Sequence, residues 1–364
     1  MSDLSAVSRP SRVADPGEGI SLEELGLAAR NHALPAEALR YDVTPAGLHY
    51  VLTHYDIPDA DPDSWSVAIG GLVERPLDLS LADLDAMTQH TVRVTLECAG
   101  NGRAADHPRP VSQPWLDGAV GTADWTGVRL ADLLADAGLR DDAVSVVFAG
   151  ADHGVERGVE QDYERGLSVA DATGGDVLVA TSMNGGPLPP QHGYPVRLVV
   201  PGWYGMASVK WLREVRVVDH EFAGFQHQAY RLRQEAGEEG VPVTRIEPRA
   251  LLVPPGFPDF MSRSRVVDAG PVVLRGRAWS GWGPVERVEV STDDGATWAE
   301  ADLETDHGAY AWRGFRATWD AVPGRSSLRA RATDATGRVQ PADPVWNRGG
   351  FTNNASQPID VLVR

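Results

Sequence analysis

The one cysteine of the chain, Cys98, stands in Val94-Thr95-Leu96-Glu97-Cys98-Ala99-Gly100-Asn101-Gly102-Arg103. With no second cysteine it forms no disulfide within the chain, which leaves packing, nucleophilic chemistry or metal ligation. The apolar run Val92, Val94 and Leu96 reads as a strand that carries the thiol to its end. The small-residue turn that follows lets the backbone approach a ligand closely. Arg103 adds a fixed positive charge five residues on, expected to favour the thiolate and to attract anions. A thiolate is a soft, charge-donating ligand suited to a high-valent metal that keeps other positions free.

A second group of chemically able residues lies downstream, in Met183-Asn184-Gly185-Gly186-Pro187-Leu188-Pro189-Pro190-Gln191-His192-Gly193-Tyr194-Pro195-Val196-Arg197-Leu198-Val199-Val200-Pro201-Gly202 and on through Ser208-Val209-Lys210-Trp211. His192, Arg197 and Lys210 are spaced around a β-branched run and a Pro-Gly turn. Such cations suit a cofactor that carries a phosphate and a polar ring system.

These two stretches, in this order, resemble the sulfite oxidase family, and the resemblance extends over roughly residues 48 to 364. It implies a molybdenum ion held by a pyranopterin (molybdopterin) and by Cys98 as its metal ligand. It places Cys98, Arg103, Trp115 and Tyr230 in the catalytic pocket, with Arg103 facing the substrate anion. It assigns Tyr50, Val51, His54, Asp152, His192, Arg197, Ser208, Val209 and Lys210, beside Cys98, to cofactor binding. The implied activity is oxygen-atom transfer that oxidises a small oxoanion such as sulfite, with electrons leaving to an external acceptor, a cytochrome or dioxygen. Reduction of a sulfoxide or other oxide at the same centre, or a non-catalytic pterin-binding role, are the alternatives. Tungsten in place of molybdenum, and a mononucleotide or dinucleotide pterin, stay open.

Two departures bear on the substrate. The family's Arg-Asn-His string occurs here as Arg30-Asn31-His32, but His49-Tyr50-Val51-Leu52-Thr53-His54 stands at the better distance from the first strand of the domain. Aligned there, His54 takes the histidine position and Leu52 replaces an arginine. Arg30 has enough chain to fold back toward the pocket. Pro284, after Ala278-Trp279-Ser280-Gly281-Trp282-Gly283, stands where many members have another arginine.

The elements that must position these residues divide near residue 245. Before it, helical spacing with polar starts marks 80–87 and 128–138, the second stopping at Gly138. The runs Val144–Phe148 and Val196–Val200 read as buried strands. After it helix signals vanish, and 272–279, 285–291 and 328–333 alternate as strands, with Asp293-Asp294-Gly295 as a turn. The expected fold is α+β: a mixed α/β cofactor domain over 48–244, then an all-β immunoglobulin-like sandwich over 245–364 that the resemblance marks as a dimerisation domain, behind an N-terminal extension of residues 1–47. The resemblance thus implies a homodimer.

With 364 residues, 42% of them hydrophobic, the chain can bury two ordinary cores. A net charge of −18 argues against nucleic acid and anionic membrane surfaces as partners, and makes capture of an anionic substrate depend on local arginines. No apolar run is long enough to span a bilayer. Met1–Gly19 has no apolar core and reads as a loosely packed leader, not a signal peptide, which points to a cytoplasmic protein. No Cys-x-x-Cys-His occurs, and no haem is expected.

Overall fold

The computed structural model describes residues 4–9 and 11–364; Met1–Asp3 and Pro10, part of the expected leader, lie outside the described residues. The cofactor domain is built from two five-stranded sheets. One runs Leu77–Ser80, Ser66–Gly71, Leu212–Val218, Ser145–Glu156, Val159–Ser168, with only the Ser66–Gly71 and Leu212–Val218 pair parallel. The other runs Gly186–Pro187, Leu178–Met183, Val120–Arg129, His90–Glu97, with Arg197–Val199 also paired to Leu178–Met183. Strand alternation decides what is buried: in Ser66–Gly71 only Val67 and Ile69 turn fully inward. They join Trp65, Phe148 and Val215 in one core with Leu130, Leu133 and Leu134 of the helix Leu130–Ala137.

Local chemistry explains the helices that frame these sheets. The helix Leu81–Ala86 begins in a reciprocal cap between Ser80 and Asp83. The helix Leu130–Ala137 ends at Gly138, whose φ of 74° lets its N–H reach back to the Leu134 and Ala135 carbonyls. The strand expected over Val144–Phe148 runs on to Glu156. Past a register shift between Ala149 and His153 it continues as a polar two-stranded ribbon, turned by Arg157 and Gly158, both at positive φ. Its apolar signal stops at Phe148 because the ribbon leaves the core, so pattern alone does not extend it.

The C-terminal region is the expected sandwich of two antiparallel-rich sheets, one of four strands and one of six. Leu274, Val288, Phe315 and Leu328 fill it. Asp294 (φ 61°) and Gly295 (φ 88°) turn the chain between Val285–Ser291 and Ala299–Glu300.

Where it is described, the stretch up to Gly19 is not the loosely packed leader expected, and the rest of the segment before residue 48 is packed too. Arg12–Val13 pair with Pro110–Val111, and Ser8 Oγ accepts a hydrogen bond from Gly158 N at 2.7 Å. The helix Leu22–Arg30, hereafter α1, is capped by Ser21 and Glu24, and the buried Glu24 also pairs with Arg109. Leu34 and Leu39 enter a further core with Tyr204, Trp279 and Trp312, and Arg277 of the sandwich donates to Leu39 O at 2.8 Å. The segment therefore bridges both domains. Among the described residues no helix is long and apolar enough to cross a membrane.

Candidate active site

Cys98 sits one residue beyond the strand His90–Glu97, with its N–H donating to Ala119 O at 2.9 Å and its thiol buried. The turn after it is tight enough that a Cβ on Gly100 would lie 2.5 Å from Arg103 Nη2. Arg103 is buried as well. Its Nε donates to Gly349 O at 2.9 Å, its Nη1 to Gln113 O at 3.2 Å, and its guanidinium lies 5.2 Å from the Phe351 ring centre. Burial pushes the Cys98 thiol up, and Arg103 only partly opposes it. Arg103 favours the thiolate as expected, but desolvation of the buried thiol outweighs this one cation.

The strand end is locked by a buried ion pair. Glu97 Oε1 lies 2.9 Å from Arg249 Nε and accepts from Asn101 Nδ2 at 2.9 Å, while Oε2 accepts from Trp279 Nε1 at 2.7 Å. Arg249 also donates to Asp117 at 3.0 Å. Arg249 and Trp279 belong to the sandwich, so the second domain holds the cysteine turn in place. The C-terminal segment adds Thr352 N to Ala99 O at 2.8 Å and Asn353 Nδ2 to Gly102 O at 3.0 Å.

Cys98 lies where two hollows meet. The inner one gathers most of the expected cofactor residues: Tyr50, Val51, His54, Asp152, His192, Arg197, Ser208 and Lys210 all line it. Val209 does not; its side chain packs into the core of the cofactor domain, because it alternates with its neighbours along the chain. Gly193, at φ 103°, is required here: a Cβ would lie 3.0 Å from that of Lys210 and 3.1 Å from that of Arg197.

The charges of this cavity are arranged for a ligand. Arg197 donates to the His192 and Ser208 carbonyls at 2.9 and 3.1 Å and stacks on Trp125. Lys210 Nζ donates to Leu52 O at 2.8 Å and Gln191 O at 3.1 Å. No carboxylate among the described residues stands within ion-pair distance of either cation. Burial, then the charge of Arg197, brings Lys210 down to about 7, with Asp152 opposing; Asp152 is itself pushed up to about 6 by burial. Asp152 Oδ1, His192 Nε2 and His49 Nε2 are buried without a hydrogen-bond partner among the described residues. Buried cations without counter-ions and polar atoms without partners are rare unless a bound group completes them. A pterin with a phosphate, held by Cys98 at one end through its metal, fits this donor set.

The outer hollow is an open cleft of about 2590 Å³ whose walls include Arg103, Trp115, Leu52, His54, Tyr230 and Cys98. Tyr230 Oη and His54 Nε2 are 2.8 Å apart, and Tyr230 packs on Phe351 with ring centres 5.0 Å apart. Burial and the cations Lys210, Arg103 and Arg30 lower His54 to about 3, so it is neutral and its bond to Tyr230 is between uncharged groups. The choice between the two N-terminal strings is visible in the geometry. His54 lies on both hollows and His32 is exposed, while Arg30 folds back to the cleft wall. Pro284 lies on neither wall: it directly precedes the sandwich strand Val285–Ser291, so its identity removes no cation from the cleft.

Sequence reasoning missed several residues of the site. His49 and Tyr163 line the inner cavity, His49 meeting His192 edge-on at 5.2 Å. His49 precedes Tyr50 in a quoted string, but a histidine beside a turn carries no signal of its own. Glu97, Arg249, Gly349 and Phe351 act across long stretches of chain, which no local spacing reveals.

A profile described as the oxidoreductase molybdopterin-binding domain matches residues 54–226, and one described as the Mo-co oxidoreductase dimerisation domain matches 255–363. The mitochondrial sulfite oxidase of Rattus norvegicus is 35% identical over 88% of the chain, and the chain spans 62% of that protein. The sulfite oxidase of Arabidopsis thaliana is 33% identical, with 86% of each protein covered. The chain belongs to the sulfite oxidase family. Among solved structures, the sulfane dehydrogenase SoxCD from Paracoccus pantotrophus superimposes with a TM-score of 0.78 at 26% identity, over 95% of this chain and 92% of that one. The family is thus one of molybdenum-cofactor oxidoreductases, as the cysteine turn and the 183–212 stretch imply.

Proposed function

We propose that this chain oxidises sulfite to sulfate at a molybdenum-pterin cofactor seated in the inner cavity. The observation that carries the reading is the position of Cys98, at the junction of a cation-lined cavity and a cleft whose nearest wall is the buried Arg103. When bound, the cofactor supplies oxygen-atom transfer and takes up two electrons. The chain's own residues do the rest. Arg197 and Lys210 hold the phosphate and pterin. Asp152 accepts hydrogen bonds from ring N–H groups. Cys98 ligates the metal as thiolate. Arg103 meets the substrate anion by a charge-assisted contact. Trp115 and Phe351 restrict water, and Tyr230, its hydroxyl bonded to neutral His54, fixes the orientation of a substrate oxygen.

Electrons then pass to an external acceptor, a cytochrome or dioxygen, with no haem of the chain's own. The working form is a homodimer through residues 245–364, behind a cofactor domain over 48–244, and it acts in the cytoplasm without nucleic-acid or membrane partners. The alternatives, reduction of an oxide or pterin binding alone, are decided by one experiment. Oxidised holoenzyme receives sulfite under anaerobic conditions with no acceptor. Bleaching of the sulfur-to-metal absorption within seconds is expected. An unchanged spectrum, with molybdenum content confirmed, overturns the sulfite reading.

A further inference from the structure

The cleft that leads to Cys98 has a wall that comes from neither matched domain. A dianion such as sulfite, stripped of water in a partly buried site, needs more than one cation. Arg103 and Arg231 are the buried arginines of the cleft, and the Nε and Nη1 of Arg103 are already given to Gly349 O and Gln113 O. Leu52, across from it, offers no charge. Three other arginines of the cleft are committed, while the side chains of Arg9 and Arg348 meet no acceptor among the described residues. Arg231 is bonded to Glu239 and to Gly240 O, Arg233 to the Glu238 and Gln228 carbonyls, and Arg157 lies over Phe225 at the tip of the ribbon.

Arg30 is different. It is the last residue of α1, and its Nη2 donates to Tyr55 O at 2.5 Å. Its one acidic neighbour, Asp56, is 4.0 Å away and fully exposed, an arrangement worth little. Nε and Nη1 meet no acceptor among the described residues. Its backbone position is fixed by the next residue. Asn31 is buried, accepts from Thr53 N at 2.8 Å and donates to Gln113 Oε1 at 3.0 Å. One side chain thus ties the end of α1 to the segment bearing His54 and to the residue whose carbonyl holds Arg103. Arg30 and Arg103 are also the two cleft arginines whose charge is felt at His54.

We propose that Arg30 is a substrate-binding, specificity-determining residue of this cleft, sharing with Arg103 the grip on a sulfur oxyanion above Cys98. The inference rests on the reading that the substrate is an oxyanion. The bland role for an arginine at this place is to complement the helix dipole of α1, which would affect stability and nothing else.

The test uses holoenzyme carrying Arg30→Gln, Arg30→Lys or Arg140→Gln, the last removing an exposed arginine of equal charge that lines neither hollow. Two quantities are read: sulfite kinetics with ferricyanide as acceptor, and the affinity of oxidised enzyme for sulfate by calorimetry. Arg30→Gln is expected to raise KM by about tenfold or more and to weaken sulfate by a similar factor, with kcat within about twofold. Arg30→Lys keeps most of the affinity, and Arg140→Gln shifts both by less than about twofold, as a screened charge outside the cleft should. KM and sulfate affinity of Arg30→Gln within twofold of the parent, or matching those of Arg140→Gln, overturn the proposal. A wild-type enzyme that turns over no sulfite defeats the parent reading alone, because sulfate affinity still judges Arg30. If Arg30→Gln melts early, Arg30→Lys decides: normal sulfate affinity supports the charge, and lost affinity overturns it.

Discussion

The inner cavity and the outer cleft share Cys98 but are made in opposite ways. The cavity is lined from within one domain, by segments 49–54, 191–210 and their neighbours, and its cations are held by main-chain carbonyls. The cleft adds to the walls around Arg103, Trp115 and Tyr230 three distant parts: α1 and the segment around it, the ribbon turning at Arg157 and Gly158, and the C-terminal stretch Arg348–Phe351. The difference teaches that cofactor retention and substrate choice are separable here. A ligand that stays bound is served by buried, preformed charges. A substrate that comes and goes is served by exposed walls drawn from the chain's ends.

The sharpest way to break this comparison is at its junction. Cys98→Ser should abolish turnover by at least about a hundredfold, the amount that even outer partners of a metal are worth, and should erase the sulfur-to-metal absorption. Arg197→Gln or Lys210→Gln should instead lower the molybdenum and pterin content of purified protein, measured by metal analysis. Arg103→Gln should leave that content normal and raise KM for sulfite. Loss of cofactor in Arg103→Gln would merge the two regions into one.

A second test addresses the frame that both regions share. Removing one partner of a buried ion pair costs about 3–5 kcal/mol, since the other charge is left uncompensated. Glu97→Ala should therefore lower the unfolding free energy by about that amount, read by thermal or denaturant unfolding, although Glu97 touches neither hollow. A loss under about 1 kcal/mol would show that Asp117 and the amide of Asn101 suffice to hold Arg249 and the strand end.

The smallest expected effect is a pH dependence. His54 has a folded value of about 3, below its unfolded value of 6.5. The unfolded chain therefore takes up a proton that the folded chain refuses, and stability falls as pH drops below 6.5 toward 3. His54→Gln removes that contribution. The stability difference between parent and variant should shrink by about 1.4 kcal/mol for each pH unit through this window. A difference that stays constant from pH 7 to 4.5 would mean that His54 takes up its proton alike in the folded and unfolded chain, so that burial does not hold it neutral.

Much of the cofactor half was legible because its residues sit in one strand-turn and one contiguous stretch, where local spacing constrains geometry. The cysteine turn, the His192 to Lys210 group and the cap at Gly138 are all of this kind. The two-sheet sandwich was legible from alternation and turn chemistry. What could not be read were relations across long separations. Glu97 with Arg249, Arg103 with Gly349, and Tyr230 with Phe351 are each set by packing between domains. Val209 was misplaced because a match in a string does not say which way a side chain points. The segment before residue 48 was underrated because polar, proline-rich sequence resembles a tail until partners such as Arg109 and Gly158 are seen.

The Glu97–Arg249 pair also bears on how this architecture can be divided. The sandwich matches a domain described as one for dimerisation, yet it supplies the guanidinium that neutralises the carboxylate next to Cys98. A redox half cut at residue 244 would carry that carboxylate into its interior with nothing opposite it. Catalytic competence and the capacity to pair are thereby inherited together, and a chimera that borrows its sandwich from another source must bring an arginine to the same spot.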